Sequence, residues 1–349
     1  MTRNPLSCIL SPDLLQSVAR DATAQELKNI LRTLEIDQTF RLARAEIAAR
    51  QGPIVQRAAT ASVGGTPHRT IYDQKHSQKT TPGTLVRAEG DPPVADASVN
   101  AAYDNFGATY KFYWEVFARD SIDGQGMPIN GLVHYETNYD NAFWDGQGHM
   151  FFGDGDGKML TDTTQGLDVI GHELTHGVTQ NEVNLTYSGQ SGALNESVSD
   201  VFGSLVKQYH LGQTAAQADW LIGADIVGSL LKPALRSMKA PGTANPHDTQ
   251  PANMSDYVHT MSDNGGVHTN SGIPNHAFYV VATTLGGPAW EAAGTIWYDT
   301  LANPRLKPNA SFASFAAVTL SQARTRYGAT SAEADAVKAG WEAVKVPVR

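Results

Sequence analysis

The stretch Asp168-Val-Ile-Gly-His-Glu-Leu-Thr-His-Gly177 decides how the rest of the chain is read. It sets His172 and His176 four residues apart, about one turn of an α-helix, so both imidazoles leave the same face and can grip one metal ion. Glu173 is offset from His172 by about 100°, which keeps its carboxylate out of that grip but within reach of a water on the metal. Composition alone would produce His-Glu-x-x-His by accident in roughly one chain in a hundred of this length, so the five residues need support from elsewhere.

The support lies downstream. In Gly192-Ala-Leu-Asn-Glu-Ser-Val-Ser-Asp200, Glu196 and Asp200 again stand four apart, on what reads as a second helix. Nineteen residues lie between His176 and Glu196, enough for a loop and the return of a neighbouring helix. Two His and one Glu make a three-ligand set that leaves the fourth tetrahedral position to water, the mark of a catalytic rather than a structural zinc site. A ligating imidazole normally donates its other N–H to an oxygen, and Asp200 is placed to orient His172 in this way. One zinc ion so held would polarise a water and a scissile carbonyl, while Glu173 takes the proton of the water and later delivers it to the leaving amine. The oxyanion that develops calls for further donors.

Several separated motifs accompany this core: Asn141-Ala-Phe-Trp144, Gly153-Asp-Gly-Asp-Gly157, Asn195-Glu-Ser-Val-Ser-Asp200, Leu235-Arg-Ser-Met238, Asp263-Asn-Gly-Gly-Val-His-Thr-Asn-Ser-Gly272 and Tyr327-Gly-Ala-Thr-Ser331. With them, residues 60 to 349 resemble the thermolysin-family neutral metalloproteases. The resemblance implies an α+β fold: an antiparallel-β-rich domain over residues 51–186 that ends in the zinc helix, and a helical domain over 187–349, with the cleft between them. It implies Tyr187 and His268 as the oxyanion donors, with Asp263 holding His268 in its donor state. Asn141 and Ala142 would bind the substrate main chain, and Arg236 the carbonyl after the residue whose amide is cleaved. Leu160, Val169, Ile222 and Leu235 would form an apolar pocket for a bulky side chain just after the scissile bond, with Thr163 trimming or polarising it. The activity implied is an endopeptidase that cuts proteins and peptides on the N-terminal side of bulky hydrophobic residues.

Residues 1–50 read differently from the rest. Ser11-Pro-Asp13 is a helix start, Thr23-Ala-Gln-Glu26 a capping box ahead of the apolar stripe Leu27, Ile30, Leu31 and Leu34, and Asp37 a candidate cap for a third helix through Phe40, Leu42 and Ile47. Such short helices have too little core to stand alone. A protealysin-like subset of the family carries a propeptide of about this length, so residues 1–50 are read as a removable inhibitor and folding aid, with a permanent helical cap as the alternative. Cys8 is the only cysteine, which excludes an intramolecular disulfide. It is either a thiolate ligand that holds a precursor shut or a small buried hydrophobe.

Between Gln51 and Asp162, runs such as Thr70-Ile-Tyr72, Tyr110-Lys-Phe-Tyr113 and Leu132-Val-His-Tyr135 predict an antiparallel sheet, and after the zinc helices the spacing predicts helix to the end of the chain. The Asp154-Gly-Asp-Gly157 loop is not an EF-hand, because its twelfth position falls on Gln165. Relatives bind a calcium pair beside the zinc helix, but here Lys207, Leu221 and Ala224 replace three of its acidic positions, leaving Asp168 and Asp219. A double calcium site is therefore expected to be absent, with Lys207 neutralising Asp168. A further calcium loop also looks lost, since Lys232-Pro-Ala234 offers no carboxylate.

Hydrophobic residues at 41% and charged ones at 17% are ordinary for a globular protein, and a net charge of −9 without a basic stripe argues against nucleic acid. No apolar run is long enough to span a membrane. The family usually works outside the cell, yet the start of the sequence is not a standard secretory signal. The expected form is a monomer. Two rival functions are a silent binding scaffold, disfavoured by the intact Glu173 and His268, and a hydrolase of small non-peptide substrates, disfavoured by the Asn141 and Arg236 clamps.

Overall fold

The computed structural model describes residues 7–50, 65–146 and 148–348. The processing point expected near residue 50 adjoins the stretch 51–64 and falls outside the described residues. In chain order the elements are β1 (Ser7–Cys8), α1 (Pro12–Ala19), α2 (Ala24–Arg50), β2 (Arg69–Asp73), β3 (Thr84–Ala88), α3 (Ala97–Phe117), β4 (Ile129–Val133), β5 (Ala142–Trp144), β6 (His149–Phe152), α4 (Leu167–Asn181) and α5 (Gly189–Leu211). There follow β7 (Leu221–Ile222), β8 (Arg236–Ser237), α6 (Asp263–Asn270), α7 (Gly272–Leu285), α8 (Ala292–Leu301), α9 (Phe312–Tyr327) and α10 (Ala332–Ala343).

The N-terminal region begins as its caps dictate. Ser11 Oγ accepts from the Leu14 N–H at 3.0 Å, and Thr23 and Glu26 close a reciprocal box in which the Thr23 N–H reaches Glu26 Oε2 at 2.8 Å. The third helix predicted from Asp37 does not exist. No Gly or Pro interrupts residues 24–50, so α2 runs straight through, and Asp37 is buried in its middle. The buried face also differs from the predicted stripe: Ile30, Thr33, Ile36 and Asp37 turn inward, whereas Leu31 is 55% exposed.

β1 to β6 form one sheet in the order β1-β5-β6-β4-β2-β3. The antiparallel expectation holds for β1–β5, β5–β6 and β2–β3, but β2–β4 and β4–β6 are parallel. The first follows from α3, a crossover that returns the chain to β4 in the direction of β2, and the second from β5, which lies beyond β6 and runs antiparallel to it. Tyr110–Tyr113, predicted as a strand, lies inside that helix. Its aromatic run favours β locally, yet Val99, Ala102, Tyr103, Phe106, Tyr110 and Tyr113 bury one helical face. The start of α3 is fixed by Asp96, whose Oδ1 accepts from the N–H groups of Ser98 at 2.9 Å and Val99 at 3.3 Å.

The other oxygen of Asp96 enters a cluster that ties α3 to the sheet. His134 faces Asp96 Oδ2 through Nε2 at 2.9 Å and Asp154 Oδ1 through Nδ1 at 2.8 Å. The Asp154 hydrogen bond, opposed by burial and assisted by Asp96, pushes the imidazole up to about 9. A raised folded pKa means the stabilisation is complete below the ordinary value near 6.5 and is lost as pH rises through about 9. His134→Ala should therefore cost about 1–2 kcal/mol at pH 6, after allowing for solvent screening, and much less above pH 9.5, as read by denaturant unfolding at both pH values. Asp156 in the same Gly-rich loop accepts from the N–H groups of Lys158 and Met159, so these carboxylates serve the protein's own donors, in keeping with the failed EF-hand pattern.

α4 leaves the sheet domain and packs against α5, and the contact is backbone to backbone. A Cβ on Gly203 would lie 2.3 Å from the Asp168 carbonyl oxygen, and one on Gly171 would lie 3.0 Å from the Gly203 Cα. Only glycine permits this approach. Beyond α5 the prediction of continuous helix fails over residues 212–262, where Pro, Gly and Asn breaks leave only the β7–β8 ribbon and short turns. The predicted C-terminal helices do form as α8, α9 and α10, around a core in which Trp297 stacks on Trp341 at 6.1 Å. Among the described residues, no helix is long and apolar enough to cross a membrane.

Candidate active site

The α4–α5 contact brings His172, His176 and Glu196 together, all buried, with one ligand atom of each within 4.8 Å of the others. The hydrogen-bond roles of the rings show what the group is built for. His172 Nδ1 lies 2.8 Å from Asp200 Oδ1, and His176 Nδ1 lies 2.8 Å from Asn195 Oδ1. Each Nδ1 faces an acceptor oxygen, so a neutral imidazole there carries its lone pair on Nε2, and the two Nε2 atoms lie 3.0 Å apart. Glu196 oxygens stand 3.5 Å from each Nε2, and Glu196 Oε2 is buried without a hydrogen bond. Converging lone pairs and a carboxylate repel one another unless a cation sits between them. The donor set therefore fits a divalent metal with nitrogen and oxygen ligands.

Asp200, predicted to orient His172, lies within hydrogen-bond distance of it and meets two further side chains. Its Oδ2 accepts from Arg236 Nε at 2.9 Å and from Asn275 Nδ2 at 2.8 Å, while Arg236 Nη2 reaches Oδ1 at 2.8 Å. Burial alone would push this carboxyl up, but the Arg236 guanidinium and His172 hold it well below the usual carboxylate range. The imidazole of His172 is thus fixed by an anion that is itself clamped. Asn195, Ser199 and Asn275 were not singled out from the sequence. The rule that a ligating imidazole needs a second partner, applied to His176 as well as His172, would have pointed to an oxygen on α5; Ser199 Oγ also lies 3.0 Å from His176 Nδ1.

Glu173 is fully buried on α4 beside the two histidines. Opposite stands His268, carried by an α6 whose start is not helical: Asn264, Gly265 and Gly266 have φ of 52°, 90° and 72°. The two glycines permit that left-handed turn, which folds Asp263 back so that its carboxylate takes the His268 N–H at 2.9 Å and faces Nδ1 at 2.9 Å. Burial disfavours the imidazolium, but Asp263 and then Glu196 outweigh it and push the ring up to about 9. A metal cation would cancel the Glu196 share and leave that of Asp263. The Tyr187 hydroxyl lies 3.4 Å from His268 Nε2 and donates a short hydrogen bond to Glu196 Oε1. None of the other histidines belongs to the metal-capable group; His247 lies 3.1 Å from Ser17 of α1.

The cleft residues are brought together around the N-terminal segment. β1 pairs with β5 so that Ser7 opposes Trp144 and Cys8 opposes Phe143. The Ile9 N–H donates to the Ala142 carbonyl at 3.3 Å, the Leu10 N–H to Asn141 Oδ1 at 3.1 Å, and Arg236 Nη1 to the Ile9 carbonyl at 2.8 Å. His268 Nε2 lies 2.9 Å from the Cys8 carbonyl. Leu160, Val169, Ile222 and Leu235 are all buried apolar side chains, as is Ile9. Thr163 spends its hydroxyl on the Gly153 carbonyl at 2.8 Å, so it does not polarise them. The thiolate-ligand expectation for Cys8 is not met: Sγ donates to the Leu10 carbonyl at 3.2 Å and packs with Tyr135, Tyr139 and Phe143. What Cys8 presents to the site is its carbonyl. Asp37, also unforeseen, accepts from Tyr139 Oη at 2.6 Å and from Asn141 Nδ2 at 2.9 Å, setting the amide that meets Leu10.

Beside α4, Lys207 Nζ stands 2.9 Å from Asp225 and 3.7 Å from both Asp168 and Asp219. Burial and these three carboxylates oppose each other, and the carboxylates win, raising Lys207.

Comparison with known proteins agrees with this geometry. Residues 51–180 match the catalytic domain of the thermolysin metallopeptidases and residues 183–346 match their alpha-helical domain. An extracellular metalloprotease of Pectobacterium carotovorum subsp. carotovorum is 47% identical over 355 aligned positions, covering 100% of this chain and 99% of that protein. Protease PrtS of Photorhabdus sp. (strain Az29) is 44% identical, covering 98% of this chain and 92% of that protein. The solved structure of the precursor of protealysin, a metalloproteinase from Serratia proteamaculans, superposes with a TM-score of 0.87 at 46% identity, covering 98% of this chain and 100% of that one. The two-domain α+β fold, the metal-capable triad and these likenesses together make the chain a member of the thermolysin metallopeptidase family, a metalloprotease.

Proposed function

We propose that the chain is a zinc-dependent endopeptidase that cleaves proteins and peptides before bulky hydrophobic residues, made as a precursor shut by residues 1–50 and acting as a secreted monomer once they are removed. The observation that carries this reading is the N-terminal segment lying in the cleft, where its main chain meets Ala142, Asn141, Arg236 and His268. That one solved relative is a precursor supports the same view. His172, His176 and Glu196 would hold the zinc ion, which when bound supplies a Lewis acid for the attacking water and the scissile carbonyl. Glu173 takes the proton of the water and passes it to the leaving nitrogen. His268 and Tyr187 donate to the carbonyl oxygen as it gains charge, and Asp263 supports the doubly protonated ring that this needs. Asn141 and Ala142 hold the substrate main chain, Arg236 the carbonyl after the cleaved amide, and Leu160, Val169, Ile222 and Leu235 the side chain before that carbonyl.

The test is cleavage of casein and of a blocked dipeptide amide by the processed protein. Activity should vanish with a zinc chelator and return with added zinc, and new N-termini should begin with Leu, Ile or Phe. A zinc-loaded, folded protein that cuts neither substrate would refute the proposal.

We further propose that no calcium pair is bound, because the Lys207 ammonium already compensates Asp168, Asp219 and Asp225. A calcium chelator added with excess zinc should then move Tm by less than about 2 °C, since an ion that is not bound contributes no binding linkage to stability. A large drop in Tm would show that calcium is held after all.

A further inference from the structure

Each polar group around the N-terminal segment has a fixed sign. Arg236 can only donate, so it must meet a carbonyl; the Ala142 carbonyl and Asn141 Oδ1 here accept, so they must meet N–H groups. Ile9 offers its carbonyl to Arg236 and its N–H to Ala142, and Leu10 its N–H to Asn141. A segment running in the opposite direction would bring donors to donors. The register is fixed as well. The Cys8 carbonyl is the one at His268 Nε2, the Ile9 carbonyl is the one at Arg236, and the Ile9 side chain is fully buried. The Cys8–Ile9 peptide therefore has the direction and the register that the proposed function assigns to a scissile bond.

Resting on that reading of the site, we propose that Cys8–Ile9 is a self-processing bond, hydrolysed by the chain's own active site. One water is consumed: its oxygen adds to the Cys8 carbonyl carbon, the Cys8 C–N bond breaks, and the proton taken by Glu173 goes to the Ile9 nitrogen. With the second proton of the water also passing to that nitrogen, the products are a Cys8 carboxylate and an Ile9 ammonium. On the acid side of the cut, Ser7 and Cys8 keep their pairing with β5, and Cys8 keeps its packing against Tyr135, Tyr139 and Phe143. The rest of the N-terminal segment stays bound, because Asn29 reaches Asp156 at 3.1 Å, Arg32 reaches Glu136 at 3.4 Å and Asp37 holds Tyr139 and Asn141. Its new terminus, however, is an ammonium in a buried position beside Arg236 and the metal-capable group, where an added positive charge is unfavourable. The cut thus precedes full release of residues 9–50 and loosens them.

Intact-mass spectrometry of the zinc-loaded full chain, followed for hours, tests this. The wild type should lose its first eight residues and show Ile9 as a new N-terminus, and Glu173→Ala should not. Ile9→Gly should slow the cut at least tenfold and Ile9→Leu should restore it. A synthetic peptide spanning residues 3–14, offered to processed wild type, should be cut at the same bond, a readout that depends on no variant folding. A wild type that digests casein yet leaves Cys8–Ile9 whole in its own chain overturns the self-processing proposal and leaves the peptidase reading standing. A wild type that digests neither casein nor the peptide overturns both.

Discussion

Glu173→Ala is expected to lower kcat for peptide cleavage by about 10³- to 10⁴-fold while zinc content stays at one ion per chain. The residue is buried on α4 next to His172, where it does not belong to the ligand group. The substitution removes the proton acceptor for the water and leaves every ligand in place. Alanine is a better helix former than glutamate and leaves no buried carboxylate to desolvate, so Tm should hold or rise. Elemental analysis, a melt and steady-state kinetics on one preparation separate the possibilities. Residual activity above a tenth of wild type would remove Glu173 from its assigned role, and loss of zinc would make it a ligand instead.

Asp200→Ala should have the largest effect on stability, about 3–5 kcal/mol, together with a 10- to 100-fold loss of zinc affinity. Its two oxygens serve His172, Arg236 and Asn275, all of them buried. Removing them leaves a guanidinium in the interior with no anion, which costs far more than the pair contributes as a pair. Asp200→Asn keeps the shape without the charge and should fall between. Because the folded carboxyl lies below its ordinary range, its contribution is present above the ordinary Asp value near 3.8 and is lost only as the solution becomes strongly acid. Denaturant unfolding at pH 7 and pH 5 should therefore give the same difference between wild type and variant, and zinc competition with a chelating dye gives the affinity. An Asp200→Ala protein as stable as wild type would show that Arg236 finds another partner.

The parts of this site that the sequence revealed are those in which helix periodicity alone does the placing. His172, Glu173, His176, Glu196 and Asp200 are each fixed by spacing on one helix, and the helix caps at Ser11 and Thr23 are equally local. What stayed hidden depends on partners far along the chain. Asp37 meets Asn141 across 104 positions, and nothing near Asp37 distinguishes it from a surface cap. Tyr110–Tyr113 looks like a strand in a window of four and like a helix only over the full span of α3. The parallel pairings of β4 follow from the path of a crossover, which no single strand encodes. Of the two readings of Cys8, the small buried hydrophobe is the one the structure shows, and what the sequence could not reveal is that its main-chain carbonyl faces His268. The stripe through Leu31 failed because α2 rests on the sheet domain over a face that includes Thr33 and Asp37, polar positions that a hydrophobicity pattern leaves out.

The closeness of α4 and α5 at Gly171 and Gly203 sets more than a packing distance. Because bare backbone meets bare backbone there, the two helices that carry the three donors keep their spacing through main-chain contact. Withdrawing zinc should silence the enzyme without melting it, and cobalt or manganese should be able to enter the same rigid nest. A methyl group at position 203 should do what a chelator cannot, by prising the two halves of the nest apart.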